Sequence, residues 1–256
     1  MKAYNTLKTI GLSLLLMAIL PITAKAQKTE YSIHFGETLP VDSYRASKSY
    51  DGNVAWLSKT TLAGADVGIN LGGKMKYNFD AVEGLGIIAT IDIFYNGDNV
   101  DVENWQEDNI AHLKEEYSLE RVSIVTPKYI NIPVMIGINY DKEISKNTNF
   151  WAETAIGVNA SKITDLIINM PKVEDNDVIY TQHYKTMAGW AFQAGIGIKM
   201  ADKISVGVHY NSLGSIKVKG KAELEGALAN STYIGSRFSL LRIYPSMFSI
   251  RLGYHF

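Results

Sequence analysis

Apolar side chains recur at every second position through much of this chain. Across residues 130–140 one set is Ile130, Ile132, Val134, Ile136, Ile138 and Tyr140, while the other is Asn131, Pro133, Met135, Gly137 and Asn139. Successive side chains of a β-strand point to opposite faces, so such a segment has one oily side and one polar or empty side. Residues 85–96, 150–159, 190–200, 204–211 and 248–256 follow the same rule. Residues 63–77 follow it with Asp66, Asn70, Lys74 and Lys76 on the polar side, and residues 31–35 form a weaker first strand. The pattern predicts eight strands, near the roughly 9–11 residues that a tilted strand needs to cross a hydrocarbon layer.

The connections sharpen this reading. In chain order they run long (about 40–60), short (78–84), long (97–127), short (141–148), long (164–186), short (201–203) and long (220–240). Alternating long loops and short turns are expected of an all-β, eight-stranded antiparallel up-and-down transmembrane β-barrel, with long extracellular loops and short periplasmic turns.

Period two alone does not say which face looks outward, and a soluble lipocalin-like barrel is the competing architecture. Glycine placement separates the two. Gly64, Gly68, Gly72, Gly86, Gly137, Gly157, Gly195, Gly197, Gly207 and Gly253 all share the polar parity. A solvated outer surface gains nothing from glycine, whereas a narrow interior filled by side chains needs small residues beside large ones. The Ile-, Val-, Phe- and Tyr-rich parity is therefore expected to face lipid. Aromatic residues fall near strand ends as interfacial girdles should: Tyr77, Tyr140, Phe150, Tyr254 and Phe256 at the short-turn end, with Tyr95, Trp190 and Tyr244 toward the other rim.

The inward set then carries Asp66, Asp92 and Glu153 against Lys74, Lys76, Lys199 and Arg251. Buried charges must pair or be hydrated, so the expected interior is a polar network of Asp66, Lys74, Asp92, Glu153, Lys199 and Arg251 plugging the barrel, with a water-filled pore as the alternative. His34, His209 and His255 share that interior and read as network members rather than ligands.

The N-terminus reads as an export signal over residues 1–26, leaving a barrel domain over residues 27–256. Lys2 and Lys8 precede a short apolar run from Ile10 to Leu20, and Ala24-Lys25-Ala26 supplies a cleavage site. The run is shorter than the roughly 20 residues of a spanning helix. The chain contains no cysteine, which removes disulfides, thiol catalysis, cysteine metal sites and a lipoprotein anchor. With Lys2, Lys8 and Lys25 removed, 22 basic residues face 26 acidic ones, a balance of −4. No basic patch suggests a nucleic-acid partner.

The stretch Ala63-Gly64-Ala65-Asp66-Val67-Gly68-Ile69-Asn70-Leu71-Gly72, followed by Gly84-Leu85-Gly86, resembles the outer-membrane protein β-barrel domain family. So does Tyr129-Ile130-Asn131-Ile132-Pro133-Val134 leading into a strand, and PorT-like and porin-family proteins look similar. The terminal Ser249-Ile250-Arg251-Leu252-Gly253-Tyr254-His255-Phe256 resembles the C-terminal signal, with Tyr254 and Phe256, that is read by the barrel-assembly machinery. The resemblance spans the mature chain and implies fold and location rather than an activity. Pro133 has no ladder donor, so a β-bulge is expected there.

Candidate chemistry is sparse. His209 and Ser212 faintly echo an outer-membrane deacylase pair, but a spacing of three puts them on opposite faces of a strand. The acidic stretch Asp98 to Arg121 places Trp105, Asn109, Leu113 and Tyr117 at helical spacing, which predicts a short surface helix. Its acids, like Glu174, Asp175 and Asp177, read as a solvated surface, with cation binding or docking of a basic partner as the functional alternative. No catalytic, cofactor or metal residues are assigned. The expected function is a non-enzymatic outer-membrane barrel with surface loops for a structural or binding role. A narrow porin or PorT-like secretion accessory comes second, and a lipid-modifying enzyme third. Expected partners are outer-membrane lipid, the barrel-assembly machinery through the C-terminal strand, and a surface or envelope protein through loop 98–126.

Overall fold

The computed structural model describes residues 29–45, 47–51, 59–98, 100–173, 176–225 and 237–256. The export signal expected over 1–26, and Glu174 and Asp175, lie outside the described residues.

Eight antiparallel strands close into a barrel: β1 (Thr29–Pro40), β4 (Ala65–Asn78), β5 (Leu85–Asp98), β7 (Tyr129–Ser145), β8 (Thr148–Ile163), β11 (Met187–Met200), β12 (Ile204–Ser212) and β15 (Ser246–His255). The ring shuts because β1 pairs on both edges, Phe35 standing opposite Leu252 of β15 and Leu71 of β4. No barrel strand is left with an open edge, which removes the template for edge-to-edge association.

The oily parity faces outward. Every barrel strand contributes at least two well-exposed large apolar side chains: Ile33 and Phe35, Ile69 and Leu71, Ile91 and Ile93, Ile136 and Ile138, Ile156 and Val158, Ile196 and Ile198, Val206 and Val208, Ile250 and Leu252. A water-facing surface tolerates apolar patches of only a few hundred Å², and a continuous belt of this kind belongs in hydrocarbon. Tyr77, Tyr140, Tyr254 and Phe256 are exposed toward the short-turn end, and Tyr95, Trp190 and Tyr244 toward the other.

The turns show why the register is set at this end. Met200 opposes Ile204, and Lys203 N–H donates to the Met200 carbonyl at 3.1 Å. Ala201 and Asp202 both take positive φ (48° and 57°), as a type I′ hairpin turn requires. Asn147 supplies the left-handed residue (φ 66°) between β7 and β8.

The other end is more structured than the alternation predicts. Helix α1 (Asp42–Arg45) and the hairpin of β2 (Ser47–Asp51) and β3 (Lys59–Ala63) fill the first connection. Helix α2 (Val100–Glu116) and β6 (Ser123–Val125) occupy the second. The expected loop 164–186, and the described residues of the expected loop 220–240, are largely strand: β9 (Leu166–Val173), β10 (Asn176–Tyr184), β13 (Ile216–Glu225) and β14 (Arg237–Ile243). These form a five-stranded sheet in the order β14–β13–β10–β9–β6. Its alternation is present in the sequence, with Leu166, Ile168, Met170, Val178, Tyr180, Ile216, Val218 and Ala222 all buried on one face. Lysines on the opposite face give the segments a loop-like composition.

Helix α2 matches the predicted spacing. Leu113 and Val102 are buried, Trp105, Ile110 and Tyr117 pack against the apolar cluster beneath the sheet, and the acidic side chains point outward. Gln106 ties the helix to β6 through Nε2, which donates to the Ile124 carbonyl at 2.7 Å. Asp98, at the start of this segment, binds Thr126 and Lys128 at its end. Asp101 and Glu103 in the first turn and Lys114 in the last complement the helix dipole.

Pro133 corrects one expectation, since no bulge forms there. Pro133 stands in regular register opposite Asn159, and on its other side Ile91 opposes Val134 and Phe94 opposes Asn131 at an unchanged offset. The missing donor is absorbed by a two-residue interruption of the β5–β7 ladder, so the strand runs through without an extra residue. The bulges in the barrel occur instead between Ala65 and Gly68 and between Glu143 and Ser145.

Candidate functional site

Among the described residues, the barrel interior is where charge is concentrated under burial, and alternation along the barrel strands delivers it. β1 supplies Glu30 and His34, β4 Lys74 and Lys76, β5 Asp92, β7 Asp141, β8 Trp151 and Glu153, β11 Gln193 and Lys199, β12 His209 and Asn211, and β15 Ser249 and Arg251.

Two stacked layers result. In the middle layer Asp92, fully buried, lies 2.6 Å from His34 Nε2 and 3.4 Å from Arg251 Nη1. Arg251 spends its other nitrogens on Asn211 Oδ1 (3.0 Å) and Ser249 Oγ (3.1 Å), and its guanidinium sits 5.5 Å over the Phe94 ring. Glu153 accepts from Lys74 Nζ (2.8 Å) and Gln193 Nε2 (3.1 Å) and lies 3.0 Å from His209 Nε2. The His209 ring stacks on Trp151 at 5.3 Å, with Lys74 5.2 Å from the indole. In the layer toward the short turns, Lys199 donates to Glu30 at 3.1 Å and Lys76 binds Asp141, with cross-contacts at 3.9 and 4.0 Å. Four carboxylates thus meet four permanent cations. Each low-dielectric charge has a partner, which is the condition for tolerating it.

Of the six residues expected in this network, Lys74 and Glu153 form one pair, Asp92 and Arg251 another, and Lys199 joins Glu30. Asp66 does not take part. It is exposed, and only its backbone carbonyl is used, accepting from Asn96 Nδ2 at 3.0 Å. The bulge between Ala65 and Gly68 shifts the alternation by one residue, so a parity count carried through Asp66 fails. His209 is committed to Glu153 and Trp151, and Ser212 stands on the opposite side of β12, so no deacylase pair is assembled. His255 lies 2.9 Å from Ser205 Oγ.

Trp151 is an interior residue that the charge pattern does not single out, although it is only two residues from Glu153 and shares its parity. Its indole lies across the barrel wall formed by Gly197 and Gly207, which are cross-strand partners. A Cβ at either glycine would collide with the ring. Gly207→Leu is accordingly expected to abolish the compact, heat-modifiable form seen on unboiled gels, and combining it with Trp151→Ala should restore that form only in part, because the Ile196 carbonyl also lies 2.8 Å from the added Cβ.

At the long-loop end the lumen is lidded. Tyr44 of α1 is fully buried, edge-on to Tyr129 at 5.6 Å, and its hydroxyl accepts from Asn131 Nδ2 at 3.2 Å. Burial raises the Tyr44 phenol above its ordinary pKa, with the Asn131 hydrogen bond opposing. Asn131, Asn159 and Ser161 form a hydrogen-bonded layer beneath it. Two cavities beside the charged layers, one lined by Glu30, Lys76, Asp141 and Lys199 and the other by His34, Glu153, His209 and Arg251, measure about 10 and 20 Å³, each the room of a single water.

Solved structures similar to this chain include Ail, the attachment invasion locus protein of Yersinia pestis, at 13% identity and TM-score 0.39 over 90% of this chain and 100% of that one. OprG from Pseudomonas aeruginosa matches at 13% identity and TM-score 0.41, over 90% and 96% of the two chains. A major outer membrane protein from Thermus thermophilus matches at 11% identity and TM-score 0.42, over 89% and 99%. Comparison with curated proteins yields no match. The family model described as the outer membrane protein beta-barrel domain matches residues 26–216. With its closed eight-stranded ring and oily outer belt, the chain belongs to the outer membrane protein beta-barrel domain family and resides in the outer membrane.

Proposed function

We propose that this protein is a non-enzymatic, non-conducting barrel that anchors a folded platform at the cell surface, the platform being the five-stranded sheet with the acidic face of α2. The observation that carries the reading is the lumen. Its charges are paired, its mouth is closed by Tyr44, and the two cavities beside the charged layers each have the room of a single water rather than of a path. An eight-stranded interior is just wide enough for side chains to fill. Of the lumen histidines, His209 and His34 are engaged by carboxylates within the plug, and His255 rests against Ser205 Oγ at the short-turn end.

Single-channel recording in planar bilayers tests this. The purified mature chain is expected to give a flat current trace at moderate voltage. Steady, reproducible conductance steps would refute the plug and favour the narrow-porin or secretion-accessory reading of the same fold.

A further inference from the structure

The exposed face of the outer sheet carries an arrangement that folding alone does not favour. Lys217 of β13 stands directly opposite Arg242 of β14. One row further out, Lys219 is bonded to Lys185 through the backbone, Lys185 N–H donating to the Lys219 carbonyl at 2.9 Å. All four side chains are exposed. Like charges directly opposite on one face of a sheet are destabilising, and here two successive rows are cationic.

The next row differs. Lys221 pairs with His183 across the strands, but Glu223 binds Lys221, and Asp165 lies 2.7 Å from His183 Nδ1. The Lys221 hydrogen bond and charge, with His183 adding to them, hold the Glu223 carboxyl below its usual range. Acids therefore accompany the cations on the distal part of the sheet, and among the described residues none pairs with Lys185, Lys217 or Lys219. Lys162, also exposed, reaches the same corner, its Nζ donating to the Tyr184 carbonyl at 3.0 Å.

Depth decides what could neutralise these rows. Arg242 lies two residues beyond Tyr244, and Lys217 three beyond Gly214, whose backbone packs on that of Trp190. Trp190 is 77% exposed and Tyr244 45%, and both belong to the outer aromatic ring, which sits at headgroup level. The cationic rows begin just outside it, in the phosphate layer of the outer leaflet. A soluble polyanion would be met as readily by the distal rows, where the acids stand.

We propose that Lys185, Lys217 and Lys219, beside Arg242, whose Nη1 donates to Ser215 Oγ at 3.0 Å, form a binding site for the phosphate groups of an outer-leaflet glycolipid, which supplies the countercharge that the three lysines lack in the sheet. This goes beyond the anchoring role and is independent of whether the lumen conducts. Basic residues near an anionic membrane surface each contribute about fivefold in binding.

The test uses the full mature chain in phosphatidylcholine vesicles, with fluorescent diphosphoryl lipid A as probe and its dephosphorylated form as control. Lys185→Gln/Lys217→Gln/Lys219→Gln is expected to weaken lipid A binding about 100-fold, while Lys221→Gln changes it little. In vesicles without lipid A the triple variant should resist urea better than wild type, and in vesicles with lipid A the order should reverse. If the triple variant does not refold, the single variants Lys217→Gln and Lys219→Gln are each expected to lose about fivefold. Equal binding by wild type and variants would overturn the proposal. So would equal binding of phosphorylated and dephosphorylated lipid, or a variant that loses a soluble sulfated glycan yet keeps lipid A.

Discussion

Glu153→Ala is expected to destabilise the barrel by about 3–5 kcal/mol, the range for removing one partner of a buried ion pair. Glu153 is the hub of the middle layer, holding Lys74 at 2.8 Å, His209 at 3.0 Å and Gln193 at 3.1 Å. Truncating it strands the Lys74 ammonium in a space without a second carboxylate at hand, since Asp92 is engaged by His34 and Arg251. The loss is therefore dominated by the orphaned cation rather than by the missing contacts. Two companion variants separate these contributions. Glu153→Gln keeps an acceptor of the same shape and should cost less. Lys74→Met in the Glu153→Ala background removes the stranded charge and should recover much of the stability, because replacing a buried pair by apolar groups is often nearly neutral. Urea unfolding in lipid vesicles provides the measurement. A cost below about 1 kcal/mol for Glu153→Ala would place Glu153 in the class of solvent-exposed pairs and defeat the sealed lumen.

The second large effect lies on the outer wall. Ile156→Lys is expected to cost about 2–4 kcal/mol, as a cation at the bilayer midplane does, whereas Val67→Lys near the rim should cost about 0–1 kcal/mol. Both side chains are at least half exposed. In water the two substitutions would be equivalent and nearly neutral. The depth dependence is thus a property of the surrounding lipid rather than of local packing. Folding titrations of the two variants into vesicles would show it, and equal costs would contradict the assignment of this face to hydrocarbon.

How far the sequence reaches can be argued from particular residues. The strand pattern is legible because both faces are strongly typed: a residue such as Ile136 has one reason to be apolar, and its neighbour Gly137 one reason to be small. Asp66 is not legible, because the bulge beside it changes the side it faces and nothing in the local composition marks that bulge. Glu30 and Asp141, which complete the lower charged layer, lie beyond the strand ends that alternation locates. Tyr44 sits in a polar connection where an aromatic residue has no periodic neighbours to reveal its burial. Trp151 leaves a trace, since two glycines of matching parity, Gly197 and Gly207, imply a large inward side chain opposite them. The outer sheet is hidden by its lysines. Lys217, Lys219 and Lys221 alternate with Ile216, Val218, Gly220 and Ala222 as any strand would, but their charge gives the segment the composition of a loop.

The central claim is that the oily parity touches acyl chains and the polar parity is sealed inside, and the chain's lack of cysteine permits a clean test. Single cysteines through positions 150–159 of β8, each spin-labelled in vesicles, can be read for collision with oxygen, which concentrates in lipid, and with a water-soluble nickel chelate. The account predicts a period-two pattern, with labels at 152, 154, 156 and 158 reached by oxygen and those at 153, 155, 157 and 159 reached by neither reagent. Nickel access that rises at 153, 155 and 157, or a profile without alternation, would contradict it.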